Sequence, residues 1–231
     1  MKSHVQVAVI GGGVVGCSVL YHLTKAGWKD VVLIERDQLT SGSTWHAAGG
    51  FHTLNGDPNV AKLQGYTIGL YDELEKISGQ SCGLHRSGGL MLADTPERME
   101  WLKMAHARSS YLGLETELLT MKEAKALLPL LEERFFHGAM LDKADGNLDP
   151  SGTTHAYAKP ARIPGAEIYL QTRVADLKQR ADGTWDVITE KGNLHAEHVV
   201  NCGGLWAREV GRMVGLELPV LAMEHMYLVT D

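Results

Sequence analysis

The sequence predicts an α/β fold, with a parallel sheet in its amino-terminal part joined to a second region of mostly antiparallel strands. Three observations carry that prediction. Two short apolar runs, residues 5–10 and 31–34, flank a segment of helical periodicity, and such runs belong to parallel strands covered on both faces. Three consecutive glycines, Gly11 to Gly13, stand between the first run and the helix. From residue 167 onward, short strand-like runs alternate with Asp-Gly and Lys-Gly turns, the pattern of antiparallel pairing.

The elements follow in order. Residues 14–26 form a helix with Val15, Val19, Leu20 and Leu23 on one face and Gly27 as its stop. Residues 58–78 show the clearest helical period, with Val60, Leu63, Tyr66, Leu70, Leu74 and Ile77 as the expected buried stripe and Gly79 following. Residues 83–93 read as a strand pair kinked at Gly88-Gly89. Helices are expected over 96–112 and 120–128, the second opened by a Thr120/Glu123 capping box. Residues 134–141 read as a strand, and Asp145-Gly146 as a turn. Residues 151–163 are helical in character with Ser151 as N-cap, but Pro160 removes a backbone donor at about 3 kcal/mol and predicts a kink or an early end. Strands are expected over 167–170, 173–179, 185–189 and 198–201, a short helix over 206–214, and one or two strands over 218–230.

The composition, 44% apolar and 22% charged, is ordinary for a soluble globular protein. A net charge of -6 gives no basic footprint for nucleic acid or for an anionic membrane surface. No apolar run approaches the roughly 18 residues of a membrane helix, and no signal peptide precedes the first strand. Cys17, Cys82 and Cys202 lie far apart with no C-x-x-C pair, which argues against a disulfide framework or structural zinc and for a reducing compartment, the cytoplasm.

Gly11-x-Gly13-x-x-Gly16 gains its meaning from context. It follows a strand, opens a helix, and a second strand ends at Glu35, 19 residues beyond Gly16. Gly11 permits the tight turn, Gly13 lets a pyrophosphate approach the backbone, and Gly16 lets helix and strand pack closely. The first helical turn offers N–H groups and partial positive charge to phosphates, and Glu35 accepts from ribose hydroxyls. This is a Rossmann-like dinucleotide site. The acidic strand end disfavours the 2′-phosphate of NADP and leaves NAD and FAD open.

The next segment separates those two. Ser41-Gly42-Ser43-Thr44-Trp45-His46-Ala47-Ala48-Gly49-Gly50 crowds small residues around one Trp and one His, so that backbone amides approach a large flat ligand while Trp45 and His46 face it. With Asp149-Pro150, Asn201-Cys202-Gly203-Gly204-Leu205-Trp206 and Met223-Glu224-His225, it makes the sequence resemble the dimethylglycine and sarcosine dehydrogenase branch of the D-amino-acid-oxidase-like flavoproteins, over essentially the whole chain. The resemblance implies FAD bonded covalently through His46, the phosphate turn at Val14 and Val15, and Glu35 and Arg36 at the ribose and adenine. It places residues 42–50 along the pyrophosphate and flavin ring, Val174 at adenine through its backbone, Trp206 as a side of the site, and His225 near the substrate amine for positioning or proton transfer.

Other constellations carry less. His195 and His198 fall on opposite faces of a strand and do not share a metal. Asp142, Asp145 and Asp149 read as a solvated turn, lacking the length and terminal Glu of a calcium loop. The expected organisation is an FAD-binding domain from 1–82 and 143–215, interleaved with an incomplete α+β substrate domain from 83–142 and 216–231. By resemblance, the activity is oxidation of the C–N bond of a secondary or tertiary N-methyl amino acid, with formaldehyde or a one-carbon unit for tetrahydrofolate as the outcome; folate would need a carboxy-terminal domain this sequence lacks. Electrons pass to oxygen or to a carrier protein. A non-catalytic flavin-binding fragment and an NAD-dependent reductase stand as alternatives.

Overall fold

The computed structural model describes residues 1–229. In chain order the strands are β1 (His4–Ile10), β2 (Val31–Ile34), β3 (Gly50–Phe51), β4 (Gly89–Ala93), β5 (Thr116–Leu119) and β6 (Gly138–Asp142). They continue as β7 (Gly146–Asn147), β8 (Glu167–Tyr169), β9 (Val174–Gln179), β10 (Trp185–Thr189) and β11 (Gly192–Asn201). The helices are α1 (Val14–Lys25), α2 (Pro58–Ser78), α3 (Pro96–Tyr111), α4 (Met121–Leu127), α5 (Pro150–Arg162) and α6 (Ala207–Arg212).

The chain forms two compact units. The first comprises Met1–Ala47, Ile77–Gln80 and the chain from Pro150 onward. Its sheet has six strands in the order β8-β2-β1-β11-β10-β9. The first four are parallel and the last two antiparallel, so the expected parallel sheet carries an antiparallel flank. Ile10 pairs with both Ile34 and Asn201, which brings the carboxyl ends of β2, β1 and β11 to one level. The strands are apolar because both faces are covered: Val5, Ala8, Ile10, Val32, Ile34, Leu194 and Ala196 form one buried cluster, and α1 packs with α5 through rings such as Tyr21 and Tyr157, 5.6 Å apart.

The second unit, Ala48–Lys76 with Ser81–Asp149, holds the antiparallel sheet β4-β6-β5 and the short pair β3-β7. Its core is Ala93, Leu102, Ala105 and Met140 under α3, and Ala124, Leu131 and Ala139 under α4. The capping box of α4 forms as expected, Thr120 accepting from the Glu123 backbone while the Glu123 carboxylate accepts from Thr120. The unit boundaries differ from the expected domains. Residues 48–76 fall in the second unit, and the segment after 215 falls in the first.

Several elements depart from expectation. Helix α5 runs through Pro160 and ends two residues later, so the proline costs a single bond close to the helix end. In 83–93 only β4 forms, with one bridge from His85 to Asn147. Residues 133–135 make a 3-10 turn before β6, and residues 204–206 another before α6. The α2 stripe slips: Leu70 and Leu74 are buried with Ala61 and Ile68, whereas Val60, Leu63, Tyr66 and Ile77 are exposed. No strand forms over 218–229, and no sheet among the described residues includes this segment; Thr230 lies outside the described residues.

Candidate flavin-nucleotide site

The site grows from three strand ends. After β1, Gly11 turns at φ +113°, a conformation that suits glycine, and a Cβ there would stand 2.2 Å from the Cys202 carbonyl oxygen. Its N–H donates to the Ile34 carbonyl (2.9 Å), and the Cys202 N–H donates to the Ile10 carbonyl (2.8 Å), so the exits of all three strands are tied together. Gly13 then caps α1 with no side chain to offer, leaving the first-turn N–H groups without an intrahelical acceptor. The Thr44 hydroxyl takes one of them, accepting from Val14 at 3.1 Å. Gly16 lies behind the turn, where a Cβ would be 1.9 Å from the Gly11 oxygen.

Glu35, directly after β2, is buried and fixed. One carboxylate oxygen accepts from the Gly12 N–H and the other from the Asp37 N–H at 2.8 Å. The chain next passes through Thr40, a non-glycine residue at φ +73°, held by its N–H on the Gly12 carbonyl (3.0 Å). This positive φ aims the following turn back over the glycine loop.

Together these segments wall a cavity of about 780 Å³, within the range of small-molecule and cofactor sites. Of the residues singled out in the sequence, Gly11, Gly13, Val14, Val15, Glu35, Arg36, Gly42, Ser43, Thr44, Ala47, Val174 and Trp206 line it. Val174 opens β9 with its side chain buried, and Trp206 carries the Arg36 guanidinium 4.7 Å from its ring centroid. Gly16 supports the turn without lining the cavity. Ala48, Gly49 and Gly50 belong to the second unit and His225 to the exposed segment after α6; none lines the cavity.

Trp45 and His46 do not face the cavity as the sequence suggested. Their rings pack on each other at 4.0 Å, both exposed, because the turn closes on itself: His46 Nδ1 lies 3.2 Å from the Gly42 carbonyl oxygen and the Trp45 N–H donates to Thr40. Residues to which the sequence assigned no binding role also form walls, among them Gly12, Asp37, Arg173 and, from the motif after β11, Asn201 and Cys202. The strand-end rule for parallel sheets was the signal for Asn201 and Cys202, once β11 is placed beside β1. Burial raises the thiol pKa of Cys202, and pushes that of Cys17, beneath the turn, up to about 12.

The acidic turn in the second unit is not solvated. Asp142 and Asp145 are buried, Asp145 accepting from the Thr53 N–H (2.9 Å) with His52 Nδ1 2.8 Å away, and Asp142 accepting from the Thr53 hydroxyl (2.6 Å). Only Asp149 is exposed. His195 meets Thr184 and the His4 ring, and His198 meets Trp28, on opposite faces of β11. Among the described residues no group of three or more potential ligands could hold a metal, and no helix is long and apolar enough to cross a membrane.

Strand, glycine turn, helix and an acidic second-strand end define a dinucleotide-binding protein. The chain belongs to the family of FAD-dependent oxidoreductases: the family model described as "FAD dependent oxidoreductase" (DAO) matches residues 6–231. It is 42% identical over 230 residues to the mitochondrial dimethylglycine dehydrogenase of Homo sapiens, covering 100% of this chain and 27% of that protein. It is 36% identical over 237 residues to the mitochondrial sarcosine dehydrogenase of Mus musculus, covering 100% of this chain and 26% of that one. The chain therefore spans roughly a quarter of the length of these relatives. The crystal structure of L-proline dehydrogenase from P. horikoshii superposes with a TM-score of 0.87 at 28% identity, over 94% of this chain and 57% of that one. The resemblance read from residues 41–50 is borne out, and between NAD and FAD the family decides for FAD.

The residues fit that cofactor. Gly11, Gly12 and Gly13 line the cavity with no side chain, the backbone turn is closed tightly at Gly11 and Gly16, and the α1 terminus supplies donors suited to a diphosphate.

Proposed function

We propose that this chain is the cofactor-binding part of an amine oxidoreductase that oxidises the C–N bond of a secondary or tertiary N-methyl amino acid of the dimethylglycine or sarcosine type. The single observation that carries the reading is the cavity at the ends of β1, β2 and β11, with its glycine turn, fixed Glu35 and helix terminus, in a chain so similar to dimethylglycine dehydrogenase. Bound FAD would accept the hydride equivalent from the substrate's carbon next to nitrogen. The chain's own work is to hold the diphosphate at Val14 and Val15, orient the ribose at Glu35 and shield the nucleotide under Trp206. His225 is our candidate for positioning or deprotonating the substrate amine. The substrate iminium would then release formaldehyde, or pass its carbon to tetrahydrofolate in a longer protein, with oxygen or a carrier protein taking the electrons. We place the protein in a reducing compartment, which suits three scattered cysteines with no C-x-x-C pair, the cytoplasm by our reading, although the two relatives above are named as mitochondrial.

His46 is our candidate for covalent attachment, which requires its imidazole to leave Trp45 and enter the cavity. On a denaturing gel the purified chain should keep yellow-green flavin fluorescence at its band, and His46→Ala should lose it. Flavin released by denaturation sinks the covalent link alone, and a protein that takes up no FAD sinks the whole reading. A second reading, a flavin-binding part without turnover, is favoured by the quarter-length match; measurable oxidation of dimethylglycine or sarcosine by this chain excludes it.

A further inference from the structure

We propose that His52, held by the buried carboxylate of Asp145, is a catalytic residue that takes the proton of the substrate's ammonium group at Nε2. The inference rests on the reading of the chain as an amine oxidoreductase and names the base of that reaction. The dyad is built into the second unit by strand register. β3 and β7 pair Gly50 with Asn147 and Phe51 with Gly146, and one step further along the same register His52 stands opposite Asp145. His52 Nδ1 lies 2.8 Å from one Asp145 oxygen, and the other accepts from the Thr53 N–H at 2.9 Å. Gly89 makes room for the carboxylate, since a Cβ there would stand 2.6 Å from Asp145 Oδ2. The Asp145 side chain is 3% exposed and that of His52 62%, so a carboxylate fixed inside orients an imidazole that reaches out.

A carboxylate so placed accepts the Nδ1–H, which leaves the lone pair on Nε2, and it balances the imidazolium once a proton arrives there. Among the described residues nothing bonds to Nε2. The charged groups that act on Asp145 are His52 and Asp142, and Asp142 accepts from the Thr53 hydroxyl; in the surrounding segments Lys143 pairs with Glu117 and Arg86 with Asp72. Burial raises the Asp145 pKa and the His52 bond pulls against it, so an imidazole that gains a proton keeps the carboxylate ionised. His225, by contrast, is exposed, with no carboxylate bonded to it among the described residues. A substrate ammonium has no lone pair, and loss of hydride from the carbon beside it needs one. Proton transfer breaks the substrate N–H bond, leaves its electron pair on nitrogen and forms Nε2–H on His52. His52 also lies six residues after His46, the candidate for flavin attachment.

The test follows His52 by NMR of the chain labelled with nitrogen-15 histidine, its signal assigned by loss in His52→Gln, and follows bleaching of the flavin when the FAD-loaded chain meets dimethylglycine. In the wild type the proton should sit on Nδ1, and dimethylglycine should shift the His52 Nε2 resonance. Asp145→Asn, whose amide donates to Nδ1, should move the proton to Nε2. Both variants should bind FAD as the wild type does, yet bleach about a hundredfold more slowly at neutral pH. Their rates should climb with pH more steeply than the wild-type rate, because free amine then arrives without help, a change in profile that a merely structural role does not produce. Wild-type rates and pH profiles in both variants, or a His52 resonance unmoved by dimethylglycine, overturn the dyad and leave the FAD site standing. A shift without bleaching by dimethylglycine or sarcosine overturns the oxidation reading alone, and a wild-type chain that shows neither overturns both.

Discussion

Replacing Gly16 by alanine tests whether the close approach of α1 to the glycine turn is a requirement of the fold. The added methyl would sit 1.9 Å from the Gly11 oxygen, against an ordinary separation of about 3.5 Å, so helix or turn must retreat by roughly 1.5 Å. The obstacle is backbone, which no rotamer change moves aside. Retreat of α1 opens gaps along Cys17, Leu20, Tyr21 and Thr24, all buried against the sheet and α5. A gap of 0.5–1 Å forfeits about a quarter to a half of each dispersion contact. Overpacking strain of about 3 kcal/mol together with about 1 kcal/mol of lost contact outweighs the roughly 1 kcal/mol that alanine gains over glycine in a helix. The expected net loss is about 3 kcal/mol, a large share of a typical domain stability of about 5–15 kcal/mol. Gly65, inside α2 with nothing within 4 Å of its would-be Cβ, is the control, and the same substitution there should stabilise by about 1 kcal/mol. Urea unfolding of the apoproteins reads both. With a slope of about 2 kcal/mol/M, the Gly16→Ala midpoint falls by about 1.5 M and the Gly65→Ala midpoint rises by about 0.5 M. A Gly16→Ala midpoint equal to wild type would refute the reasoning.

Two further outcomes follow from the buried titratable groups. Cys17, pushed up to about 12 chiefly by burial, should resist iodoacetamide at pH 8 in the folded protein and react on unfolding; rapid labelling of the native thiol, mapped by mass spectrometry, contradicts the packing beneath the turn. Burial raises the pKa of Asp145 against the opposing pull of His52 and Thr53, so its folded value lies above its unfolded one. Its contribution is then fully present below the unfolded carboxylate value of about 3.9 and is lost as pH rises through the folded value. Asp145→Asn should flatten the pH dependence of the second unit's stability above about pH 4, as followed by thermal melts across pH. A steeper dependence in the variant would mean that hydrogen bonding, not burial, dominates at that carboxyl.

What was legible in the sequence was local. The β1–α1–β2 unit is written in two apolar runs, a glycine turn and an acidic strand end within the first 35 residues, and the α4 capping box in four consecutive positions. Features set by distant partners were not legible. Asp142 and Asp145 look solvated because their neighbours in sequence are polar, and only Thr53 and His52, some 90 residues away in the chain, explain their burial. The α2 stripe departs from expectation at Val60, Leu63, Tyr66 and Ile77, because periodicity names a face without naming what packs on it. The strand run after residue 218 has the composition of a strand, yet pairing depends on a neighbour that composition does not encode.

The same division of local and distant causes shapes the proposed cofactor site. Glu35 has both carboxylate oxygens bonded to backbone N–H groups, so its orientation is settled by the fold and little ordering remains to be done on binding. That bonding also uses the Gly12 N–H, which takes it out of the donor set facing a diphosphate. The donors left are those of the first α1 turn, where Val14 shares its N–H with the hydroxyl of Thr44, a neutral acceptor. A phosphate oxygen is the stronger acceptor for that N–H, because hydrogen bonds to ionised groups are roughly twice as strong as neutral ones. The exchange would release Thr44, and Thr44 belongs to the turn that keeps the His46 ring against Trp45. A ribose end that is rigid and a phosphate end that trades partners would thus couple nucleotide binding to the turn that carries Thr44, Trp45 and His46.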